Sequence, residues 1–236
     1  MLPNSKRGVD LFAPLDGVTN LNPKFVNLRD GRHASAAREL LTEIGRWHID
    51  QDGNFVKDFQ TAGFDSRIWE LYLFATFKSL DFDLDTSHVA PDFSIARNRE
   101  RVFVEATTAN PTGNVQHSII GAPPPPPENL REYNEAEMVL KFGSPLESKI
   151  KKSYWELPHV QGHCFAIAIA DFHAPASMTW SQSALMTYLY GLGAESFEVD
   201  GGLRWREKPL ESHTVGNKTI PSNFFAQDRH KHVSAI

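Results

Sequence analysis

The feature that most constrains this chain of 236 residues is a helix that is apolar on nearly every side and yet carries a carboxylate. On a helical wheel, residues 68–77 (IWELYLFATF) place apolar side chains almost all the way round, which is typical of a buried helix. Glu70 lies within this segment, and a buried carboxylate is costly unless it is paired or bound to a metal. An ion pair with Arg67, three residues earlier, and a functional site are both open explanations for Glu70 alone.

Two further acids lie on apolar segments that follow this helix. Asp92 comes after Pro91 at the start of a predicted strand over residues 92–96, and Glu105 lies in a predicted strand over 101–107. A single acid on such a strand fits an edge position or a salt bridge. Three acids on one helix and two successive strands favour a shared site.

The elements around these acids follow a defined order. They are a helix over 65–80, strands over 82–86, 92–96 and 101–107, a helix over 144–157 and a strand over 165–171. The polar run at 97–100 predicts a hairpin between the last two of the three strands. Ser144, Pro145 and Glu147 have the spacing of a capping box and predict a helix start. The order predicts an α/β fold in which helices cover a small mixed sheet.

The remaining parts flank or interrupt this core, which spans residues 65–190. An N-terminal extension over 1–64 is predicted to contain one helix at 35–49, and a helix at 181–190 closes the core. A proline-rich insertion at about 110–129 holds five consecutive prolines and favours extended polyproline II, either as a surface spacer or as a docking site for a proline-reading partner.

The C-terminal additions, residues 191–236, are predicted to contain a hairpin over 197–205 around Asp200-Gly201. The final residues, HKHVSAI, are predicted to begin a strand that has no partner after it. This pattern predicts that the chain is truncated or that its natural continuation is absent.

Composition restricts the classes of function. The net charge of −5 gives no global basic surface, which argues against tight non-specific DNA binding. The single cysteine, Cys164, excludes an internal disulfide framework and fits a reducing compartment. Without a signal-peptide core or a run of about 20 apolar residues, the protein is predicted to be cytoplasmic and not membrane-bound. His159, His163 and Cys164 lack zinc-site spacing, and no nucleophile elbow or phosphate loop is present.

The segment Ala90-Pro91-Asp92-Phe93, followed by Val104-Glu105-Ala106-Thr107, resembles the PD-(D/E)XK nuclease superfamily, also called restriction-endonuclease-like. The resemblance covers residues 65–171, nearly half of the chain. It implies a restriction-endonuclease-like core and an endonuclease that hydrolyses phosphodiester bonds with Mg²⁺ or Mn²⁺, with DNA favoured over RNA as substrate. It also implies that Asp92 and Glu105 are metal ligands and that Glu70 is an accessory acid. A catalytically degenerate fold that serves as a binding or assembly module is the alternative, and a homodimer is left open.

The chain departs from the pattern where the family has a lysine two residues after the second acid, since Thr107 occupies that position. We expect Lys149, at the edge of the apolar stripe of the predicted helix over 144–157, to supply the amine, with Lys151 as second choice. Lys152 is predicted to face solvent. Lys151, Lys152 and Thr107 are assigned to substrate binding, and a solvated basic helix face is the alternative.

Overall fold

The structure is a computed structural model, and it describes residues 8–51, 53–111 and 125–236. The predicted proline-rich insertion at 110–129 lies largely outside these ranges, because residues 112–124 are not among those described. The last three of its five consecutive prolines, residues 125–127, belong to neither a helix nor a strand.

The described chain is mixed α/β, as the sequence predicts. Its α-helices, in chain order, are α1 (Pro23–Asp30), α2 (Ser35–Trp47), α3 (Phe55–Gln60), α4 (Phe64–Ser79), α5 (Leu130–Glu135), α6 (Glu137–Ile150) and α7 (Gln182–Tyr190). Its strands are β1 (Asp83–Leu84), β2 (Phe93–Arg97), β3 (Glu100–Ala109), β4 (Cys164–Asp171), β5 (Leu192–Val199), β6 (Gly202–Pro209), β7 (Ser212–Val215) and β8 (Lys218–Pro221).

The strands form one four-stranded sheet and two separate hairpins. In the four-stranded sheet the order is β1-β2-β3-β4, with β1, β2 and β3 antiparallel and β4 parallel to β3. The predicted hairpin between β2 and β3 is confirmed: Arg97 pairs with Glu100, and Asn98 and Arg99 both have positive φ, as a two-residue hairpin turn requires. The predicted hairpin around Asp200-Gly201 is also confirmed, as β5 and β6, whereas the β7–β8 hairpin was not predicted.

The two faces of the four-stranded sheet pack against different helices. On one face, Val104 and Ala106 of β3 contact Leu73 and Phe74 of α4. On the other face, Phe103 of β3 lies in a core with α6 and α7. Side chains alternate along a strand, so Glu105 shares the face of Phe103 and points to the α6 side. The sheet therefore packs between α4 on one face and α6 on the other.

The helix before β4 differs from the prediction at both ends. The expected start at Ser144 is wrong, because α6 begins at Glu137 and contains Pro145 in its interior. An interior proline costs about 3 kcal/mol, whereas each fully buried large apolar side chain contributes about 1.5–3 kcal/mol. Met138, Val139 and Phe142 are all buried upstream of the proline, so their burial outweighs its cost.

The expected end of the same helix, at Leu157, is also wrong. The helix stops at Ile150, and Ser153 adopts a left-handed conformation with a φ of 49°. A 3₁₀ turn, Tyr154–Glu156, follows. Tyr154, which the sequence placed on the apolar stripe of a longer helix, is thereby turned towards the sheet.

The N-terminal extension contains more helix than the sequence predicted. Besides α2, which lies in the predicted position, it includes the short helices α1 and α3. These are too short to show a clear 3.6-residue periodicity, although Asn22 caps α1 by accepting a hydrogen bond from the Lys24 N–H, and Pro23 begins the helix. Phe25 and Phe59, from α1 and α3, are fully buried in a core that these helices share with the start of α4.

The C-terminal residues do have a strand partner, contrary to the prediction. Ser234 N–H donates to the Phe165 carbonyl over 2.7 Å, and Ile167 N–H donates to the Ala235 carbonyl over 3.1 Å. Ala235 thus forms a parallel bridge with Ala166 of β4. This segment covers the β4 edge of the sheet, which limits pairing with other chains there.

We expect Ser234→Pro to lower the free energy of unfolding by about 1–3 kcal/mol, because proline cannot donate the hydrogen bond to Phe165. Urea denaturation would measure the change. Ser234→Ala is the matched control: it keeps the N–H, and the Ser234 side chain is exposed, so stability should stay within about 0.5 kcal/mol of wild type. Equal stability of the proline variant and wild type would show that the tail does not pair with β4.

Candidate functional site

Asp92 and Glu105 lie side by side where β2 begins against the middle of β3. Phe93 pairs with Val104 across the two strands, which brings the preceding Asp92 next to Glu105. The Ala106 N–H donates to Asp92 Oδ2 over 2.7 Å, and the Asp92 N–H donates to Glu105 Oε2 over 3.2 Å. Each carboxylate is therefore fixed by a backbone amide from the other's strand.

The second oxygen of Glu105 is held from the α6 side. Lys149 Nζ lies 2.6 Å from Glu105 Oε1, and the Tyr154 hydroxyl donates to the same oxygen over 2.9 Å. Only 3% of the Glu105 side chain is exposed, so both interactions take place away from bulk water. The last turn of α6 thus brings the Lys149 amine to Glu105. Lys149 is the residue that we expected to supply the amine that the family has at the position of Thr107.

Glu70 approaches the same region from α4. Arg67 Nη1 lies 2.7 Å from Glu70 Oε2, and Arg67 Nη2 lies 2.6 Å from Asp58 Oδ2. The ion pair that the sequence left open is therefore present. Glu70 also lines a cavity of about 180 Å³ together with Asp92 and His48, so it is both paired and next to the other acids.

Burial and neighbouring carboxylates raise the pKa of two of the three acids, Asp92 and Glu70. Burial raises the pKa of Asp92 to about 7, with further contributions from the nearby Glu105 and Glu70 carboxylates. The Ala106 N–H and the Lys149 amine oppose this shift only in part. Burial also raises the pKa of Glu70, against the opposing charge of Arg67. Negative charge in this region is therefore incompletely neutralised by the chain itself.

Neighbouring side chains respond to the same environment. Burial, followed by the negative charge of Glu105, raises the pKa of the Tyr154 phenol and keeps it a hydrogen-bond donor at neutral pH. Burial and the charge of Arg67 lower the pKa of His48 to about 4. The His48 side chain is therefore neutral at pH 7 where it lines the small cavity.

The residues assigned to substrate binding lie around this cluster without joining its hydrogen bonds. Lys151 and Lys152 follow the end of α6 and are exposed. Thr107 is half-buried on β3 and pairs with Ile169 of β4. Period two places it on the same face as Glu105.

Two residues near the site were missed by sequence reasoning. Tyr154 was counted only as an apolar position, and no signal in the sequence shows that its hydroxyl reaches Glu105. His159 was considered only as a zinc ligand, yet its Nε2 donates to the carbonyl of Ala90 over 2.8 Å, two residues before Asp92. Its ring stacks on that of His88 with centroids 3.7 Å apart, which supports the loop leading to Asp92.

The donor atoms fit a hard divalent cation better than a soft one. Within the described ranges, no group of three or more His, Cys, Asp and Glu side chains is arranged to hold a metal ion. Mg²⁺ is commonly bound by one or two carboxylates, with water and substrate phosphate as its other ligands. Asp92 and Glu105 are two adjacent carboxylates, and the pKa of Asp92 is raised first by burial and then by the charges of Glu105 and Glu70, which a bound cation would offset.

A larger cavity, of about 560 Å³, lies elsewhere and has a different character. It is bounded by α1, α2, the first turn of α4 and the loop after β4. Its lining is largely apolar, with Phe64, Ile68 and Phe172 among the side chains, and it includes none of Glu70, Asp92 and Glu105. Asp171 also lines this cavity, and its Oδ1 accepts from the N–H and the Nδ1 of His173, so it caps the loop after β4.

Comparison with protein-family models, curated proteins and solved structures gives no match for this chain. In the parts of the chain that the structure describes, no helix is both long and apolar enough to cross a membrane.

Without divalent cations, we expect the free energy of unfolding to fall as pH rises from about 4 to about 7. Asp92 has a folded pKa of about 7, against 3.8 for the ordinary side chain, so the folded state binds more protons over this interval and gains stability only at the acidic end. The loss should be on the order of a few kcal/mol. Urea denaturation in EDTA at several pH values would measure it.

Asp92→Asn should remove most of this pH dependence, and Asp200→Asn, at an exposed turn, should leave it unchanged. An Asp92→Asn variant with the same pH profile as wild type would contradict the assignment of the shift to Asp92.

We expect Lys149→Met to lower the free energy of unfolding by about 3–5 kcal/mol, because it leaves the Glu105 carboxylate buried without its cation. The double variant Lys149→Met/Glu105→Gln should recover much of the loss, and Lys152→Met, on the exposed side, should change stability by less than about 0.5 kcal/mol. Chemical denaturation at pH 8 gives all three values. A loss below about 1 kcal/mol for Lys149→Met would contradict a strong buried pair.

Proposed function

We propose that this protein is a divalent-metal-dependent nuclease of the PD-(D/E)XK type that hydrolyses phosphodiester bonds, with DNA as the favoured substrate. The observation that carries the proposal is the contact of Lys149 with Glu105, directly beside Asp92. Two adjacent carboxylates and an amine form the set of groups that this chemistry uses, although the amine comes from α6 instead of β3.

The arrangement of elements supports the same proposal. From α4 onwards the chain runs through one helix, three antiparallel strands, the helices α5 and α6, and a strand parallel to β3. The resemblance implies one helix before the last strand of a restriction-endonuclease-like core, where this chain has α5 and α6. Glu70 on the helix, Asp92 before the second strand and Glu105 within the third support the roles that the resemblance implies for them.

Each residue has a proposed role that follows from its contacts. Asp92 and Glu105 would hold Mg²⁺ or Mn²⁺, and when bound the ion supplies charge neutralisation of the phosphate and an acidified water. Lys149 provides a positive charge at the Glu105 oxygen, where it can stabilise charge that develops on a phosphate. Tyr154 orients Glu105, and Glu70 adds negative charge that favours a cation near Asp92.

A catalytically degenerate binding or assembly module is the second candidate, and specific contacts favour it. Both oxygens of Glu105 already have protein partners, and Glu70 is paired with Arg67. Thr107 stands where the family has its lysine. In such a module the acids, Lys149 and Arg67 would form a structural network with no exchange for metal or substrate.

The proposed cellular compartment and partners of the enzyme rest on its cysteine content and on the proposed reaction. Cys164 is a free thiol on the surface, which fits the proposed cytoplasmic location because a reducing compartment keeps thiols reduced. Nucleic acid is the proposed partner, and a homodimer is an open arrangement for cutting two strands.

The test is cleavage of plasmid DNA with Mn²⁺ or Mg²⁺, compared with EDTA. We expect wild type to cleave only with metal, and Asp92→Asn and Glu105→Gln each to lower the rate by about 10²-fold or more. Lys149→Ala should lower it similarly, and Lys152→Ala, on the exposed side, should mainly weaken DNA binding.

Two further results separate the two candidates. Thr107→Lys should partly restore cleavage to the Lys149→Ala variant, which would show that a missing charge, not a folding defect, caused the loss. Titration calorimetry with Mn²⁺ should give binding that Asp92→Asn abolishes. Wild-type protein that neither binds Mn²⁺ nor cleaves DNA would exclude the nuclease and leave the binding module.

A further inference from the structure

The β5–β6 hairpin is a two-stranded sheet whose strands, among the residues that the structure describes, pair only with each other. Each strand has eight residues, and every residue of β6 is exposed. The hairpin is anchored at its base, where the Leu210 N–H donates to the Gly191 carbonyl over 2.8 Å. Such an isolated hairpin gains little stability from its own pairing, so the unusual composition of its surface needs another explanation.

Charges are separated between the two faces of this hairpin. The register pairs Glu195 with Arg206, Phe197 with Arg204 and Gly193 with Lys208, so these residues share one face. We call this the cationic face; it carries three positive charges and one negative charge. The opposite face carries Glu198 and Glu207 with Leu203 and Trp205.

The three cations form a regular row along β6. Arg204, Arg206 and Lys208 alternate with residues of the other face, which spaces them by about 6.6–6.8 Å along the strand. Arg206 is paired with Glu195 over 2.6 Å, but 64% of the arginine side chain is exposed. An exposed pair of this kind contributes little free energy, so Arg206 can exchange Glu195 for another anion.

An exposed aromatic ring lies beside the row, on the paired strand β5. Phe197 is 38% exposed, and the Arg206 guanidinium lies 5.5 Å from its ring centroid. An aromatic ring between two arginines offers an apolar contact next to cations. The combination suits a ligand with evenly spaced negative charges and flat apolar groups, which nucleic acids have.

We propose that the cationic face of the β5–β6 hairpin binds duplex DNA. This inference rests on the proposed nuclease function and names the element that holds its substrate. A two-stranded ribbon fits the major groove, which is about 12 Å wide, and arginine is the side chain that most often contacts guanine there. Because the whole chain has a net charge of −5, attraction to phosphates must come from a local row of cations such as this one.

The test measures the binding of a fluorescein-labelled 20-base-pair duplex by anisotropy, in EDTA, from 50 to 200 mM salt. The triple variant Arg204→Gln/Arg206→Gln/Lys208→Gln should bind about tenfold or more weakly at 150 mM salt. Its plot of log affinity against log salt should be shallower by about 2 to 3, as expected from three lost phosphate contacts. Circular dichroism and thermal melts would establish that the variant is folded.

The matched control removes three exposed positive charges elsewhere, as Lys57→Gln/Lys78→Gln/Lys218→Gln. It should keep both the affinity and the salt dependence of wild type. Equal losses in the two triple variants would overturn the proposal, because the effect would then come from net charge alone. Wild-type protein that does not bind the duplex, or binds the single strand of the same sequence more tightly, would also overturn it.

The outcome is distinguishable from that of the cleavage test. If wild-type protein binds DNA through the hairpin but does not cleave it with metal, the nuclease proposal fails and the hairpin proposal stands. If it cleaves DNA while the hairpin variant binds normally, only the hairpin proposal fails.

Discussion

The buried carboxylate of Glu105 is the constraint on which the rest of this structure depends. A charge with 3% exposure is tolerated in a fold only when its oxygens are satisfied. Here three elements supply the partners: the Asp92 amide from the start of β2, the Lys149 amine from α6 and the Tyr154 hydroxyl from the turn after it. The positions of these elements around β3 are therefore coupled, and the same contacts that stabilise Glu105 also create a concentrated pocket of charge.

The two acids in that pocket are not equally neutralised, and this difference lowers the stability of the folded state. Glu105 is fully paired, whereas Asp92 is left with a pKa of about 7 by burial and by its acidic neighbours. A fold optimised for stability alone would replace Asp92 by a neutral residue, since a buried acid of this kind weakens the folded state at neutral pH. Arg67 could compensate the acids, but it is already shared between Glu70 and Asp58. The excess negative charge near Asp92 is the feature that most favours a cation-binding role.

The sequence predicted the strongly periodic parts of the fold and failed where packing overrides local signals. Helix α4, strands β2 to β4 and the turn at Asn98-Arg99 follow from apolar runs and turn residues. Pro145 misled the prediction because Ser144, Pro145 and Glu147 have the spacing of a capping box, yet the buried residues before them extend the helix through the proline. The helical repeat was enough to predict that Lys149 lies at the edge of the buried stripe, from which it contacts Glu105. The contact of the Tyr154 hydroxyl with Glu105 could not be predicted. Its direction depends on the left-handed conformation of Ser153, for which the sequence has no recognisable pattern.

The parallel pairing of β3 with β4 has a consequence for the order in which the chain folds. Phe93 and Val104, paired in the β2–β3 hairpin, are 104 − 93 = 11 positions apart, whereas Val102 and Cys164 are 164 − 102 = 62 apart. Closing the longer loop costs about 1.5 kcal/mol more in chain entropy, so the hairpin should form early and the crossover late. Since Lys149 lies within that crossover, this order predicts that Asp92 and Glu105 come together before the Lys149 amine reaches Glu105. Until the crossover closes, we expect water to hydrate both carboxylates. Water can be excluded from the α6 face of the sheet only after that step.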